Sequence, residues 1–155
     1  MVKTNAMRML DKAKISYTPL EYEVTDDLSA TTIASKVGLD YDMVFKTLVA
    51  KGDKTGIICF CISADREIDL KKAAKVSGNK KVEMIHVKDL LSLTGYIRGG
   101  CSPIGMKKPY PVYICQSSLT KDKITISAGV RGVQLLISVN DLISYTKATP
   151  CDIVL

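Results

Sequence analysis

A lysine enclosed by apolar neighbours is the first residue of this sequence able to do chemistry. It is Lys46, inside Val44-Phe-Lys-Thr-Leu-Val49. An ammonium held on a strand and partly stripped of water can fix an ester carbonyl, a phosphate or a carboxylate, and desolvation lowers its pKa. Strand alternation also allows the opposite placement, with Phe45 buried and Lys46 in solvent. The second candidate is Gly99-Gly-Cys-Ser-Pro-Ile-Gly105. Adjacent glycines let the backbone approach a ligand and aim N–H groups at an anion or a carbonyl oxygen. Ser102 adds a hydroxyl and Pro103 stiffens the loop. A plain connection would use the same turn formers, yet eleven irregular residues from Gly95 to Gly105 are long for so short a chain, and such segments are usually functional. The third candidate is Ser127-Ala-Gly-Val-Arg-Gly132, where Gly129 permits a tight bend and Arg131 can pair with phosphate or anchor the loop.

Other patterns carry less. Cys59-x-Cys61 puts two thiols on one strand face, but no second cysteine pair or nearby histidine completes a metal site, and none is expected. The single histidine, His86, excludes sites that need two. Cys101 lies in the glycine loop, where a backbone-lined setting favours thiolate; a couple with His86, or a redox role, would follow from that. No GxxxxGK[ST] run is present, which argues against a P-loop nucleotidase. Lys71-Lys72 and Lys80-Lys81 read as solvated faces, whereas Lys107-Lys108 abuts the glycine loop and can meet a polyanion. Aromatic residues make up 6% with no tryptophan, so base stacking is not prominent and any RNA contact should be mainly electrostatic.

The elements that must position these residues follow from periodicity and turn chemistry. Residues 5–14 carry Ala6, Met9, Leu10 and Ala13 at helical spacing. Residues 16–24 alternate loosely, with Pro19 marking an edge. Ser29 caps a helix that Gly38 ends. Met43–Ala50 and the apolar run Ile57–Ser63 form a hairpin around KGDKTG, with the second strand central. Asp69 opens a lysine-rich helix that Gly78 stops, Val82–Met84 is a short strand, and His86–Thr94 a short helix. Strands are predicted at Pro111–Cys115, Lys123–Ser127 and Gly132–Val139, then a helix capped by Asn140 and a last edge strand within 149–154. Such mixing of short strands and helices predicts α+β architecture with a mixed sheet.

Composition is consistent with that. The 155 residues are 46% hydrophobic and 25% charged, enough for one domain spanning 1–155 and too apolar for disorder. A net charge of +6 suits an RNA or phosphate-bearing partner. Five scattered cysteines read as reduced thiols, no apolar run reaches a membrane span, and no h-region follows the N-terminus, so a cytoplasmic protein without a membrane partner is expected.

Three segments in this order resemble the YbaK/EbsC family of aminoacyl-tRNA deacylases: Phe45-Lys-Thr-Leu48, Gly95-Tyr through Gly99-Gly-Cys-Ser-Pro-Ile-Gly-Met-Lys-Lys108, and Ile126-Ser-Ala-Gly-Val-Arg-Gly132. Asp69-Leu-Lys-Lys-Ala-Ala-Lys75, Lys80-Lys-Val-Glu-Met84 and the Asn140-Asp-Leu142 cap extend the likeness across the chain. The subgroup it looks most like is the free-standing Cys-tRNA(Pro)/Cys-tRNA(Cys) deacylases, relatives of the editing domain of bacterial prolyl-tRNA synthetases. The resemblance implies a central mixed, partly barrel-like sheet flanked by helices, and trans-editing of cysteine mischarged onto tRNA(Pro). It implies catalysis by Lys46 with backbone N–H groups at Gly99 and Gly100, and no cofactor. Substrate contacts would come from Tyr22, Thr47, Cys101, Ser102, Pro103, Ser127, Gly129, Arg131 and Gln134. In the cysteine-specific branch the substrate thiol attacks its own carbonyl, so the enzyme is a hydrolase by substrate and a lyase if it releases a thiolactone. The implied partner is the aminoacyl-tRNA acceptor end, with a prolyl-tRNA synthetase complex as a further one and no DNA. Two departures bear on specificity: Gln134 stands where relatives carry an acid, and Ser29–Ala30 where some carry a bulky aromatic. Clearance of alanine or serine, and a non-catalytic module that holds aminoacyl-tRNA or a synthetase, are the competing readings.

Overall fold

The computed structural model describes residues 1–155. In chain order the elements are α1 (Asn5–Lys12), β1 (Tyr17–Glu21), α2 (Ala30–Val37), β2 (Phe45–Gly52), β3 (Gly56–Ser63), α3 (Leu70–Ser77), β4 (Val82–Met84), α4 (Val87–Thr94), β5 (Val112–Cys115), β6 (Lys123–Ser127), β7 (Val133–Ser138), α5 (Val139–Thr146) and β8 (Thr149–Cys151).

Two sheets carry the site. The larger runs β4-β2-β3-β5-β8, with β2 antiparallel to β3 and β4, and β5 parallel to β3 and β8. The smaller runs β1-β7-β6 and is antiparallel throughout. A parallel bridge between Val44 and Thr125 joins the start of β2 to β6. The two sheets therefore curve toward each other without closing into a barrel, and the architecture is α+β with a mixed sheet. The apolar run of β3 occupies the centre of the larger sheet, and Ile58, Phe60 and Ile62 are fully buried. Pro19 sits on β1, at an edge, where its missing N–H leaves no ladder position empty.

Helix boundaries follow local chemistry. The Ser29 side chain accepts from Thr32 N–H at the start of α2, Asp69 does the same for Lys71 and Lys72 in α3, and Gly38, Gly78 and Gly95 take left-handed C-cap positions. The last helix departs from expectation. Its N-cap is Ser138, whose Oγ accepts from Asp141 N–H at 3.3 Å, and not Asn140, which is exposed in the first turn. Val139 N–H donates to the Asp122 carbonyl at 2.9 Å, so β7 passes into α5 with no intervening turn and the cap falls on the last strand residue.

Candidate active site

Lys46 lies on β2 opposite Ile62 of β3, on the face opposite the buried Phe45. It is half-buried, and its ammonium donates to the Ala64 carbonyl at 3.1 Å. Burial lowers its pKa, against the opposing pull of Glu67 and Asp65. An ammonium has three donors, so two remain for a ligand after the bond to Ala64. The side chain lines a cleft of about 510 Å³, inside the range of small-ligand sites. Thr47, Gly99, Cys101, Ser127 and Gln134 line it too, together with Arg98 and the start of α2 from Leu28 to Thr31. No carboxylate lines this cleft; its cations are Lys46 and Arg98.

The wall opposite Lys46 is made by the two glycine loops held against each other. Gly100 is buried, and a Cβ there would stand 3.1 Å from Val130 C and 3.2 Å from Arg131 N. Arg131 Nε donates to the Arg98 carbonyl at 2.8 Å. The Tyr96 hydroxyl donates to the Ile104 carbonyl, and the Tyr96 ring lies over Gly129, whose φ of +96° and absent Cβ both suit glycine. Tyr96 therefore clamps the first loop shut on itself and against the second.

The expected site residues separate into two groups. Lys46, Thr47, Gly99, Cys101, Ser127 and Gln134 meet at the cleft. Tyr22, Gly100, Ser102, Pro103, Gly129 and Arg131 do not line it. Ser102 is fully buried and accepts from Ile104 N–H at 3.2 Å, Pro103 is buried beside it, and Tyr22 packs on the small cluster of Ile33, Ala34, Val44 and Ala64. Gly100 N–H is already donated to the Ile97 carbonyl at 2.9 Å, while Gly99 N–H has no partner within the protein. Of the two glycine amides, Gly99's is therefore the one free to meet a carbonyl oxygen.

Side-chain chemistry in the cleft is restrained. Burial pushes the Cys101 thiol up to about 12, the reverse of the thiolate-favouring setting expected for the loop, and no hydrogen bond joins it to the exposed His86. Ser127 Oγ accepts from Gly129 N–H at 3.1 Å. Gln134, only 3% exposed, accepts from Thr125 Oγ1 at 3.0 Å, which leaves its NH₂ group without a protein partner. Thr47 Oγ1 is 3.7 Å from the buried Cys61 Sγ. Thr47, Ser127 and Cys101, the hydroxyls and thiol beside Lys46, have no hydrogen bond to a base; at the entrance Ser29 Oγ donates to Thr32 Oγ1 at 3.0 Å, and Thr32 Oγ1 donates to the Asp27 carboxylate at 2.6 Å. Sequence reasoning missed Tyr96 and Arg98; the signal was their position directly before Gly99-Gly100. The small residues Ser29–Ala30 lie on the rim, where a larger side chain would narrow the entrance.

The family model of the aminoacyl-tRNA editing domain matches residues 27–145. A protein of Enterococcus faecalis (strain ATCC 700802 / V583), which carries the provisional name Cys-tRNA(Pro)/Cys-tRNA(Cys) deacylase EbsC, is 49% identical over 146 residues, 94% of this chain and 89% of that protein. The uncharacterized protein YwhH of Bacillus subtilis (strain 168) is 25% identical over 130 residues, 81% and 82% of the two chains. A crystal structure described provisionally as a trans-editing enzyme for prolyl tRNA synthetase superposes with a TM-score of 0.84 at 22% identity, covering 100% of this chain and 99% of that one. At that identity the superposition shows a shared fold.

Proposed function

We propose, from the premise that the chain belongs to the aminoacyl-tRNA editing domain family, that it is a deacylase clearing cysteine from mischarged tRNA(Pro). A synthetase pocket shaped for proline rejects a side chain of similar size by only about 1–3 kcal/mol, so fidelity needs a second, ester-cleaving site. The single observation that carries the reading is a cleft in which a half-buried lysine faces a free loop amide, with no base bonded to the hydroxyls and thiol beside that lysine.

Such a cleft suits a substrate that brings its own nucleophile. Lys46 holds the ester or the phosphate of the terminal nucleotide, and Gly99 N–H receives the carbonyl oxygen as negative charge develops on it. Thr47, Ser127, Gln134 and Cys101 shape the space for the cysteine side chain. Its sulfur attacks its own carbonyl carbon, a C–S bond forms, and the bond from that carbon to the ribose oxygen breaks. The thiol proton ends on the departing ribose hydroxyl. A thiolactone and free tRNA result, and water later opens the thiolactone to cysteine. Proximity and orientation of this kind can lower a barrier by about 7–11 kcal/mol. No helix of the chain is long and apolar enough to cross a membrane, in keeping with work on aminoacyl-tRNA in the cytoplasm. Nothing in the first cleft reads the body of a tRNA, so a complex with prolyl-tRNA synthetase would supply that selection.

The reading is tested by incubating Cys-tRNA(Pro) with enzyme at one-hundredth its concentration and identifying the early product. Many turnovers with thiolactone preceding free cysteine are expected. Release limited to one equivalent would make the protein a binding module, and free cysteine with no thiolactone would reassign the nucleophile to water. Equal clearance of alanine or serine would keep deacylation and overturn the role of the substrate thiol.

A further inference from the structure

We infer that a second cleft, beginning where the glycine loop leaves the first, binds the single-stranded RNA of the substrate's acceptor end by stacking and charge. This rests on the deacylase reading and adds to it where the nucleotides preceding the terminal one lie.

The cleft measures about 480 Å³ and is lined by Lys107, Lys108 and Lys147 and by Tyr110, Tyr113 and Tyr145, three tyrosines that pack partly buried against the core. No carboxylate lines it, and none of the three lysines is in an ion pair. Lys107 Nζ rests on the Ser92 carbonyl at 3.3 Å, and Lys108 and Lys147 are exposed. Lys147 takes the left-handed C-cap of α5 at φ +57°, a position that glycine fills in α2, α3 and α4. A cation at a helix C-terminus offsets the helix dipole, so Lys147 alone needs no ligand. Three cations around one cleft without a single acid give it a positive field that draws a polyanion.

The rings narrow the class of ligand. The Tyr110 hydroxyl donates to the Leu93 carbonyl at 2.7 Å, and Tyr113 stacks on Phe60 with centroids 5.5 Å apart, so both rings are held before any ligand arrives. Partly buried tyrosines beside unpaired lysines offer aromatic surface and positive charge in one cleft, the combination that takes single-stranded nucleic acid. A free phosphate would leave the rings unused. Although aromatics are sparse in the sequence, the fold gathers three of its seven tyrosines here.

Connectivity supplies the link to the first cleft. Cys101 lines the first and Pro103 the second, and two residues span at most about 7 Å. A strand whose terminal ester lies at Lys46 therefore passes the glycine loop to reach the tyrosines.

The test compares the wild type with a Lys108→Ala, Lys147→Asn double variant; asparagine tolerates the left-handed position. A fluorescent RNA hairpin with an unpaired 3′ tail like that of a tRNA acceptor arm is titrated at several salt concentrations. The expected result is about tenfold weaker binding and a salt slope lower by about 1.4, from roughly 0.7 per cation on single strands. On Cys-tRNA(Pro) the KM should rise by a similar factor with kcat unchanged, while cysteinyl-adenosine, which lacks the strand, is cleaved as by wild type. Unchanged RNA affinity and salt slope in a folded variant overturn the inference and leave this cleft to an acidic protein. Equal loss on both substrates overturns it as well, because the substitutions would then act through the fold. If the wild type binds the hairpin as described but turns over neither ester, the deacylase reading fails and the RNA site stands.

Discussion

Substituting Gly100 by alanine separates the work of the loop wall from its contribution to stability. The added Cβ would lie 3.1 Å from Val130 C and 3.2 Å from both Arg131 N and Val130 Cα, all backbone atoms that cannot rotate away. Carbon contacts are most favourable at about 3.5–4.0 Å, so the two loops must part by roughly half an ångström. Overpacking of this kind costs about 1–3 kcal/mol. The smaller unfolded-state entropy of alanine returns about 0.4–1 kcal/mol, since Gly100 is not in the left-handed region. A net loss of up to about 2.6 kcal/mol lowers Tm by up to roughly 10 °C for a chain of this size. The rate should suffer too. If a 1 Å misplacement costs about 100-fold, half that displacement of Gly99 costs roughly tenfold. The assay is single-turnover deacylation of Cys-tRNA(Pro), run beside Gly78→Ala. That control is strained by its φ of +75° with nothing within 4 Å of the new methyl, and it lies at the end of α3. It should lose similar stability and keep its rate. A wild-type rate in Gly100→Ala despite a lowered Tm would refute the claim that loop apposition positions the ester.

Three further outcomes are expected. Cys101→Ser should keep turnover within about twofold, because a thiol pushed up to about 12 is almost wholly protonated at pH 7 and is no nucleophile; a hundredfold loss would contradict this. Gln134→Leu strips the fully buried Thr125 hydroxyl of its acceptor and should cost about 1–3 kcal/mol by urea unfolding, with most of it regained in the Thr125→Val, Gln134→Leu double variant; no recovery would mean that another contact sets the loss. Asp27 accepts from Thr32 Oγ1 at 2.6 Å and from Ser29 N–H at 2.9 Å, which lowers its pKa from 3.8 to about 2. Its stabilisation of the α2 start is therefore complete above about pH 4 and fades as the pH falls through about 2. The gap in urea midpoint between wild type and Asp27→Ala should narrow over that window, and a gap constant from pH 7 to pH 2 would contradict the assignment.

Much of the frame was legible because local rules decided it. Ser29 and Asp69 capped helices as their side chains predict, Gly38 and Gly78 ended them, and the unbroken apolar run of β3 marked the centre of a sheet. Asn140 misled because Ser138, two residues earlier, could serve both as the end of a strand and as a cap; that choice depends on Asp122 meeting Val139 across the fold. At the site, residue type and glycine density pointed to segments that border one cleft but not to which of their atoms face it. Period 2 left both faces of β2 open to Lys46, and the outcome was settled by the Ala64 carbonyl eighteen residues on. Gly100 and Gly129 look like ligand-facing glycines in sequence. They are instead the points where two loops and a tyrosine pack too closely for a side chain, a non-local contact that no spacing reveals.

Deacylation of Cys-tRNA(Pro) at catalytic enzyme concentration, beside Ala-tRNA(Pro), Pro-tRNA(Pro) and a Lys46→Ala variant of wild-type fold, tests the central claim most directly. The account predicts rapid loss of cysteine alone by the wild type and none above background by the variant. Retained turnover in folded Lys46→Ala, or no turnover of any of the three substrates by the wild type, would contradict it.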